Sequence, residues 1–193
     1  MDIEKLNSIR EDYFRDYKAK QIPIIKDSIE DYLLYQRQTL ENLSVPEAKH
    51  FLISAANEKY RRKMKSCREL GFWITPGDIV YADFGAAYLT EIGYQHLALV
   101  INVFSGKALV IPMTSNRINI SKAYDDRFNP EGSRHLMTIG IIPGLNRESV
   151  LFLNDIKFNN TARIIDVKGH LDRYSELFER ICGRIRDCME IYQ

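Results

Sequence analysis

Residues 76–116 read PGDIVYADFGAAYLTEIGYQHLALVINVFSGKALVIPMTSN, and this stretch decides the fold. Three short runs rich in β-branched and aromatic residues lie within it, at 79–84, 97–104 and 108–113, separated by connections that contain glycine. Such runs between Gly-bearing connections predict an antiparallel meander. Ser105-Gly106 joins the second run to the third, and a two-residue loop with glycine supplies the positive φ of a tight hairpin. Pro76-Gly77 precedes the first strand, where a proline removes no ladder hydrogen bond. Glu91, Gln95 and His96 lie before the second strand; Thr114, Ser115 and Asn116 follow the third. If those strands form a hairpin, both polar clusters meet at one end of the sheet.

Working outward, residues 3–17 carry Ile3, Leu6, Ile9, Tyr13, Phe14 and Tyr17 at helical spacing. Pro23 breaks that pattern, and Asp27 or Ser28 can cap a second helix running toward Leu43. Ser44-Val45-Pro46-Glu47 has capping-box spacing with a proline in the first turn, so a third helix is expected from Ser44 to Leu70 with Gly71 as its cap. Trp73 is expected to pack this arm onto the sheet. Beyond it, 117–132 is polar and reads as a long loop, delivering Arg134 and His135 to a strand at 136–142. A turn at Pro143-Gly144, strands at 149–153, 155–158 and 163–167, and a helix at 170–192 complete the chain. The expected fold is α+β: a small, mostly antiparallel barrel with a C-terminal helix, residues 72–193, preceded by an N-terminal helical arm, residues 1–71.

The 193 residues are 45% hydrophobic, enough to bury a core. No apolar run approaches a membrane span and the N-terminus lacks an apolar leader, so a cytoplasmic protein is expected. Three cysteines without a CxxC pair argue against a disulfide framework and against a zinc site, and no cofactor or metal is expected. Cys67, Cys182 and Cys188 read as small hydrophobes on helices. The net charge of +1 says little, but residues 59–68, KYRRKMKSCR, concentrate basic charge, either as a solvated helix face or as a contact for phosphate.

GDIVYADFG, Glu91, His96 five positions on, LALVIN and then VIPMTSN resemble the MazF/PemK family of toxin endoribonucleases. SVLFLNDIKFNNTARI, residues 149–164, is similar to that family's later strand and turn, and the last helix fits as well. The resemblance covers about residue 76 to the C-terminus. It implies an SH3-like barrel, a homodimer, a cognate antitoxin partner, and metal-free cleavage of single-stranded RNA to 2′,3′-cyclic phosphate and 5′-OH ends. In the family an Arg and a Thr carry the chemistry; Thr114 matches the Thr, whereas His96 stands where the Arg would be.

A histidine shuttles protons better than an arginine but clamps phosphate less well. The expected arrangement is therefore His96 and His135 as an acid/base pair, Thr114 and Ser115 holding the phosphate, and Arg134 neutralising it. The other reading of His96 is a satisfied turn histidine in an inactive barrel. Glu91 could orient His96 or be a loop carboxylate. Gln95 and Asn116 carry amides that suit unpaired bases or turns, and the resemblance places Asn154, Asp155 and Lys157 near the RNA groove. Tyr81 and Phe84 are expected in the core. From another class, the same barrel serves CcdB-type toxins, non-catalytic modules that bind a protein.

Overall fold

A computed structural model describes residues 1–125 and 127–189. Two compact units divide at Lys49/His50. The first, Met1–Lys49, is helical. Helix α1 (Ile3–Asn7) is capped by Asp2, whose carboxylate accepts from the Lys5 N–H at 3.1 Å. It stops short of the expected Tyr17 because Ser8 turns its hydroxyl back onto the Lys5 carbonyl (2.7 Å), offering the backbone an alternative to the helix. Single 3-10 turns follow at Glu11–Phe14 and Ala19–Gln21. Helix α2 (Pro23–Asn42) begins at the proline expected to break it, since a proline at the first helical position loses no intrahelical bond.

Helix α3 (Val45–Arg61) opens on the expected capping box: the Ser44 N–H and hydroxyl both donate to the Glu47 carboxylate, at 3.0 and 2.5 Å. It ends at Arg61 instead of Leu70. Past that point the barrel takes the backbone groups a longer helix would pair internally. The Asn160 amide donates to the Met64 carbonyl (2.9 Å), and the Cys67 N–H donates to the Thr161 hydroxyl (3.0 Å). A 3-10 turn, Cys67–Leu70, follows, closed as expected by Gly71 at φ +84°.

From His50 onward the chain forms the second unit. Its strands are β1 (Asp78–Asp83), β2 (Gln95–Phe104), β3 (Lys107–Thr114), β4 (Ala123–Tyr124), β5 (Ser133–Gly140), β6 (Ser149–Phe152), β7 (Lys157–Asn160) and β8 (Ile164–His170). They pair in the order β4-β5-β6-β3-β2-β1-β8, antiparallel except for β4 with β5, while β7 pairs the other end of β3. The hairpin turn Ser105-Gly106 has φ +43° and +85°, the two positive values a type I′ turn demands. The expected strands at 149–153 and 155–158 are bent by a 3-10 turn at Leu153–Asp155, so that β6 meets Met113 and Thr114 while β7 meets 107–110.

The expected long loop contains a short helix, α4 (Arg117–Lys122), and β4; Asp126 lies outside the described residues. Helix α5 (Glu176–Met189) starts later than expected because His170 is still in β8, its ring 2.8 Å from the Asp78 carboxylate. Residues 190–192 of the expected helix lie outside the described residues. Both sheet faces are covered. One carries Ile79, Leu99, Ile111 and Leu151 against Phe178, Ile181 and Ile185 of α5; the other carries Val80, Ala98, Val100 and Val110 with Cys67 and Ile74. Trp73, expected to be packed, is 68% exposed. This is the α+β architecture expected, a curled and mostly antiparallel sheet with a C-terminal helix and N-terminal helices.

Candidate active site

His96 lies at the start of β2, opposite Ala82 of β1. The β2–β3 ladder ends at the Leu97–Met113 pair; continued one step, its register brings His96 toward Thr114 of β3, on the same side of the sheet. The ring is half-buried. Burial pushes its pKa below the ordinary 6.5, nearby His50 pushes the same way, and Asp155 opposes both. The imidazole is thus neutral at pH 7 and holds a lone pair. Thr114 accepts at its hydroxyl from the Asn116 N–H (3.2 Å), which leaves the hydroxyl proton free.

Asp155 ends the turn between β6 and β7. Its carboxylate accepts from the Ile92 N–H (2.6 Å) and pairs with the Lys157 ammonium (2.6 Å), which also reaches the Ile92 carbonyl at 3.4 Å. The ammonium lies 5.3 Å from the centre of the Phe84 ring. This partly buried ion pair holds the β1–β2 loop down beside His96, so both residues have a loop-fastening task that the sequence does not announce.

Helix α3 walls the same end of the barrel. Gln95, 6% exposed, is held at both ends of its amide by His50: the ring Nδ1 lies 3.0 Å from Oε1, and Nε2 donates to the His50 carbonyl at 3.2 Å. The carboxylate of Asp83, 3% exposed, accepts from Ser54 (2.9 Å), Asn57 (2.9 Å) and the Gly85 N–H (3.0 Å). The Arg61 guanidinium donates to the carbonyls of Ile164 (2.8 Å) and Ala162 (3.3 Å). Between α3 and the β1–β2 loop runs a cleft of about 510 Å³, whose lining includes Phe51, Tyr94, Arg61, Arg62 and Arg163 together with Glu58 and Asp83. The capping box and the basic run at 59–68 do not announce these contacts. The signal was a polar one: His50, Ser54, Asn57 and Arg61 fall at i, i+4, i+7 and i+11, one face of a helix.

The remaining candidates divide. Glu91 is exposed and caps its own loop, accepting from the Tyr88 N–H at 3.3 Å. Ser115 is half-buried next to Thr114, and Asn116 caps α4 by accepting from the Ile118 N–H at 2.9 Å. Asn154 is exposed beside Asp155. Both ends of the Gln95 amide are engaged by His50, and the side chain is buried. Arg134 and His135 lie on β5, and β6 and β3 stand between that strand and β2. Alternation separates them further. Met137, two residues on from His135, joins the α5-facing core as Leu97 does, whereas His96 adjoins Leu97 and faces the other way. The expected pairing of His96 with His135, and of Arg134 with the same phosphate, is therefore corrected: the histidine near His96 is His50. Arg134 instead lies over the Tyr124 ring (5.4 Å), and its carbonyl accepts from Arg184.

No family model and no curated protein sequence matches the chain. Among solved structures it is similar to MazF from Deinococcus radiodurans, with 13% identity and a TM-score of 0.46 over 62% of this chain and 99% of that one. It is similar to an endoribonuclease in complex with its cognate antitoxin from a Mycobacterial species (10% identity, TM-score 0.44, 63% of this chain and 99% of that one). It is also similar to the Mycobacterium tuberculosis toxin MazF-mt6 (12% identity, TM-score 0.41, 60% of this chain and 99% of that one).

Proposed function

We propose that this chain is a MazF-like endoribonuclease, the toxin of a toxin–antitoxin pair, which cuts single-stranded RNA in the cytoplasm. The observation that carries the reading is a neutral, half-buried His96 that the β2–β3 register brings toward Thr114. Cleavage needs no nucleophile from the protein, because the ribose 2′-OH attacks the adjacent phosphorus. His96 takes the 2′-OH proton, the O2′–P bond forms, the P–O5′ bond breaks, and the departing oxygen collects a proton. The products are a 2′,3′-cyclic phosphate and a 5′-OH, and no step calls for a metal. Thr114 and Ser115 offer hydroxyls to the phosphate, and Lys157 supplies the positive charge there in place of Arg134. Glu91, Asn116 and Asn154, exposed around the site, are the groups for base contacts. As the sequence resemblance implies, the working unit is a homodimer, and a segment of the antitoxin fills the RNA groove.

The test is to incubate the full chain with a long single-stranded RNA in EDTA and map the ends. Discrete cuts bearing cyclic phosphate and 5′-OH ends, reduced by about 10²–10⁴-fold in His96→Ala, are expected. Intact RNA would leave a second reading, a non-catalytic CcdB-like module. One observation favours that reading: Tyr88 and Leu89 of the β1–β2 loop are 85% and 93% exposed, apolar groups a protein partner would cover.

A further inference from the structure

We infer that the basic segment 61–68 and Trp73 form a second contact for single-stranded RNA, a pocket in which one base stacks on the indole while Lys65 and Arg68 hold its phosphates. The inference rests on the nuclease reading and extends the strand beyond the cleft. Residues 61–68, RRKMKSCR, carry five of the chain's 27 Lys and Arg and no carboxylate, so a chain of net charge +1 is net negative over the rest of its length. Positive charge gathered on one short segment is the footprint of a polyanion. Arg62, Lys63, Lys65 and Arg68 are exposed, and none of them forms an ion pair among the described residues.

The barrel fixes this segment in place. The Asn160 amide donates to the Met64 carbonyl (2.9 Å), the Cys67 N–H donates to the Thr161 hydroxyl (3.0 Å), and the Thr161 N–H donates to the Gly106 carbonyl (2.8 Å). A Cβ on Gly106 would lie 2.5 Å from the Lys65 carbonyl oxygen, so the β2–β3 hairpin tip closes directly on the segment. Here lies a pocket of about 350 Å³, whose lining includes Lys65, Ser66, Arg68, Trp73, Ser105 and Thr161 and no acidic residue. Glu69, the carboxylate next to it in the chain, is engaged by the Lys65 N–H at 2.5 Å. Trp73 is 68% exposed although Phe72 and Ile74 on either side pack into the core, so an anchored backbone presents a free indole. One exposed aromatic by itself means little, and a protein partner would call for a wider apolar surface. A single indole among cations and hydroxyls suits a base with its phosphates. The cleft shares Asn160, Ala162 and Arg163 with the turn that gives this pocket Thr161, so the two cavities flank one turn. A strand leaving the cleft past Arg62 arrives at Lys65. One that ends in the cleft leaves the pocket empty.

Trp73 is the chain's only tryptophan, so indole emission reports on this pocket alone. Uncleavable oligonucleotides lacking the 2′-OH, of about 4 and about 12 nucleotides, are titrated into the full chain, with anisotropy reading binding and indole emission reading stacking. The longer one should quench the emission, and its salt slope should be steeper than that of the shorter one by about 1.4, two phosphates at roughly 0.7 each. Trp73→Ala should weaken the longer oligonucleotide about tenfold and leave the shorter one unchanged, and Trp73→Phe should recover most of that loss. Lys65→Ala combined with Arg68→Ala should cancel the extra slope. Unchanged emission at saturation with the longer oligonucleotide, or wild-type affinity in Trp73→Ala, would overturn the pocket and leave the nuclease reading standing. Quenching by polyglutamate as strong as that by RNA would mark a bare anion site and overturn the stacking assignment too. A wild-type protein that binds neither oligonucleotide would end the nuclease reading itself, and this inference with it.

Discussion

Burial disfavours the charged form of His96, and that bears on stability. Because its folded pKa lies below 6.5, the unfolded chain binds more protons than the folded one between those two values. The stability it confers is whole above pH 6.5 and is lost as pH falls through the folded value. Urea midpoints taken from about pH 7.5 down to about pH 5 should fall in wild type and fall less steeply in His96→Asn, which cannot titrate. If His96 is the base of the proposed nuclease, the acid limb of kcat/KM should lie below pH 6.5 for the same reason, since that base must be unprotonated to act. Asp155→Asn tests a neighbour. It keeps the shape but removes the charge that accepts from Ile92 and pairs with Lys157, so hydrogen exchange at the Ile92 amide should speed up relative to the β2 core amides.

At the scale of elements, α3 decides more than a connecting helix would. Ser54 and Asn57 supply two of the three donors to a buried carboxylate, and an ion left short of donors in an apolar interior is costly. Ser54→Ala and Asn57→Ala should each lower stability by about 2 kcal/mol in urea unfolding, and both effects should shrink in an Asp83→Asn background. Truncation makes the same point on a larger piece: removing residues 1–49 should leave a cooperatively folding barrel, whereas removing 1–71 strips Asp83 and Gln95 of their partners and should abolish cooperative unfolding. Legibility in the sequence follows the range of the forces. The β2–β3 hairpin could be read because Ser105-Gly106 determines its turn locally, and the capping box at Ser44 and Glu47 because three residues suffice. The end of α3 could not, since Asn160 and Thr161, about a hundred positions away, take the backbone groups that would have continued it. The candidate residues divide along the same line: that His96 and Thr114 come to one end of the sheet follows from a local hairpin, while the His50–Gln95 contact and the fastening pair Asp155–Lys157 depend on contacts across the fold.

For the molecule as a whole, charge is the constraint that bears on RNA. With 27 Lys and Arg against 26 Asp and Glu there is no global field to draw in a polyanion, so affinity must come from local cations and from stacking. At the cleft Arg61, Arg62 and Arg163 face Glu58 and Asp83, and two of the three guanidiniums already serve main-chain carbonyls: Arg61 those of Ala162 and Ile164, Arg163 that of Asp83. If the strand crosses this cleft to reach His96, it meets about two or three phosphate-binding cations, among them Arg62 and Lys157. Binding of a 2′-deoxy-blocked oligonucleotide, followed by fluorescence anisotropy across a salt series, should then give a log–log slope of about −1.5 to −2, at roughly −0.7 per phosphate neutralised. Arg62→Ala should make that slope shallower by nearly one phosphate's worth while leaving base preference alone. A slope steeper than about −4 would mean that the basic run at 59–68 lies along the strand as a phosphate track, and the path of the RNA would have to be redrawn over that face.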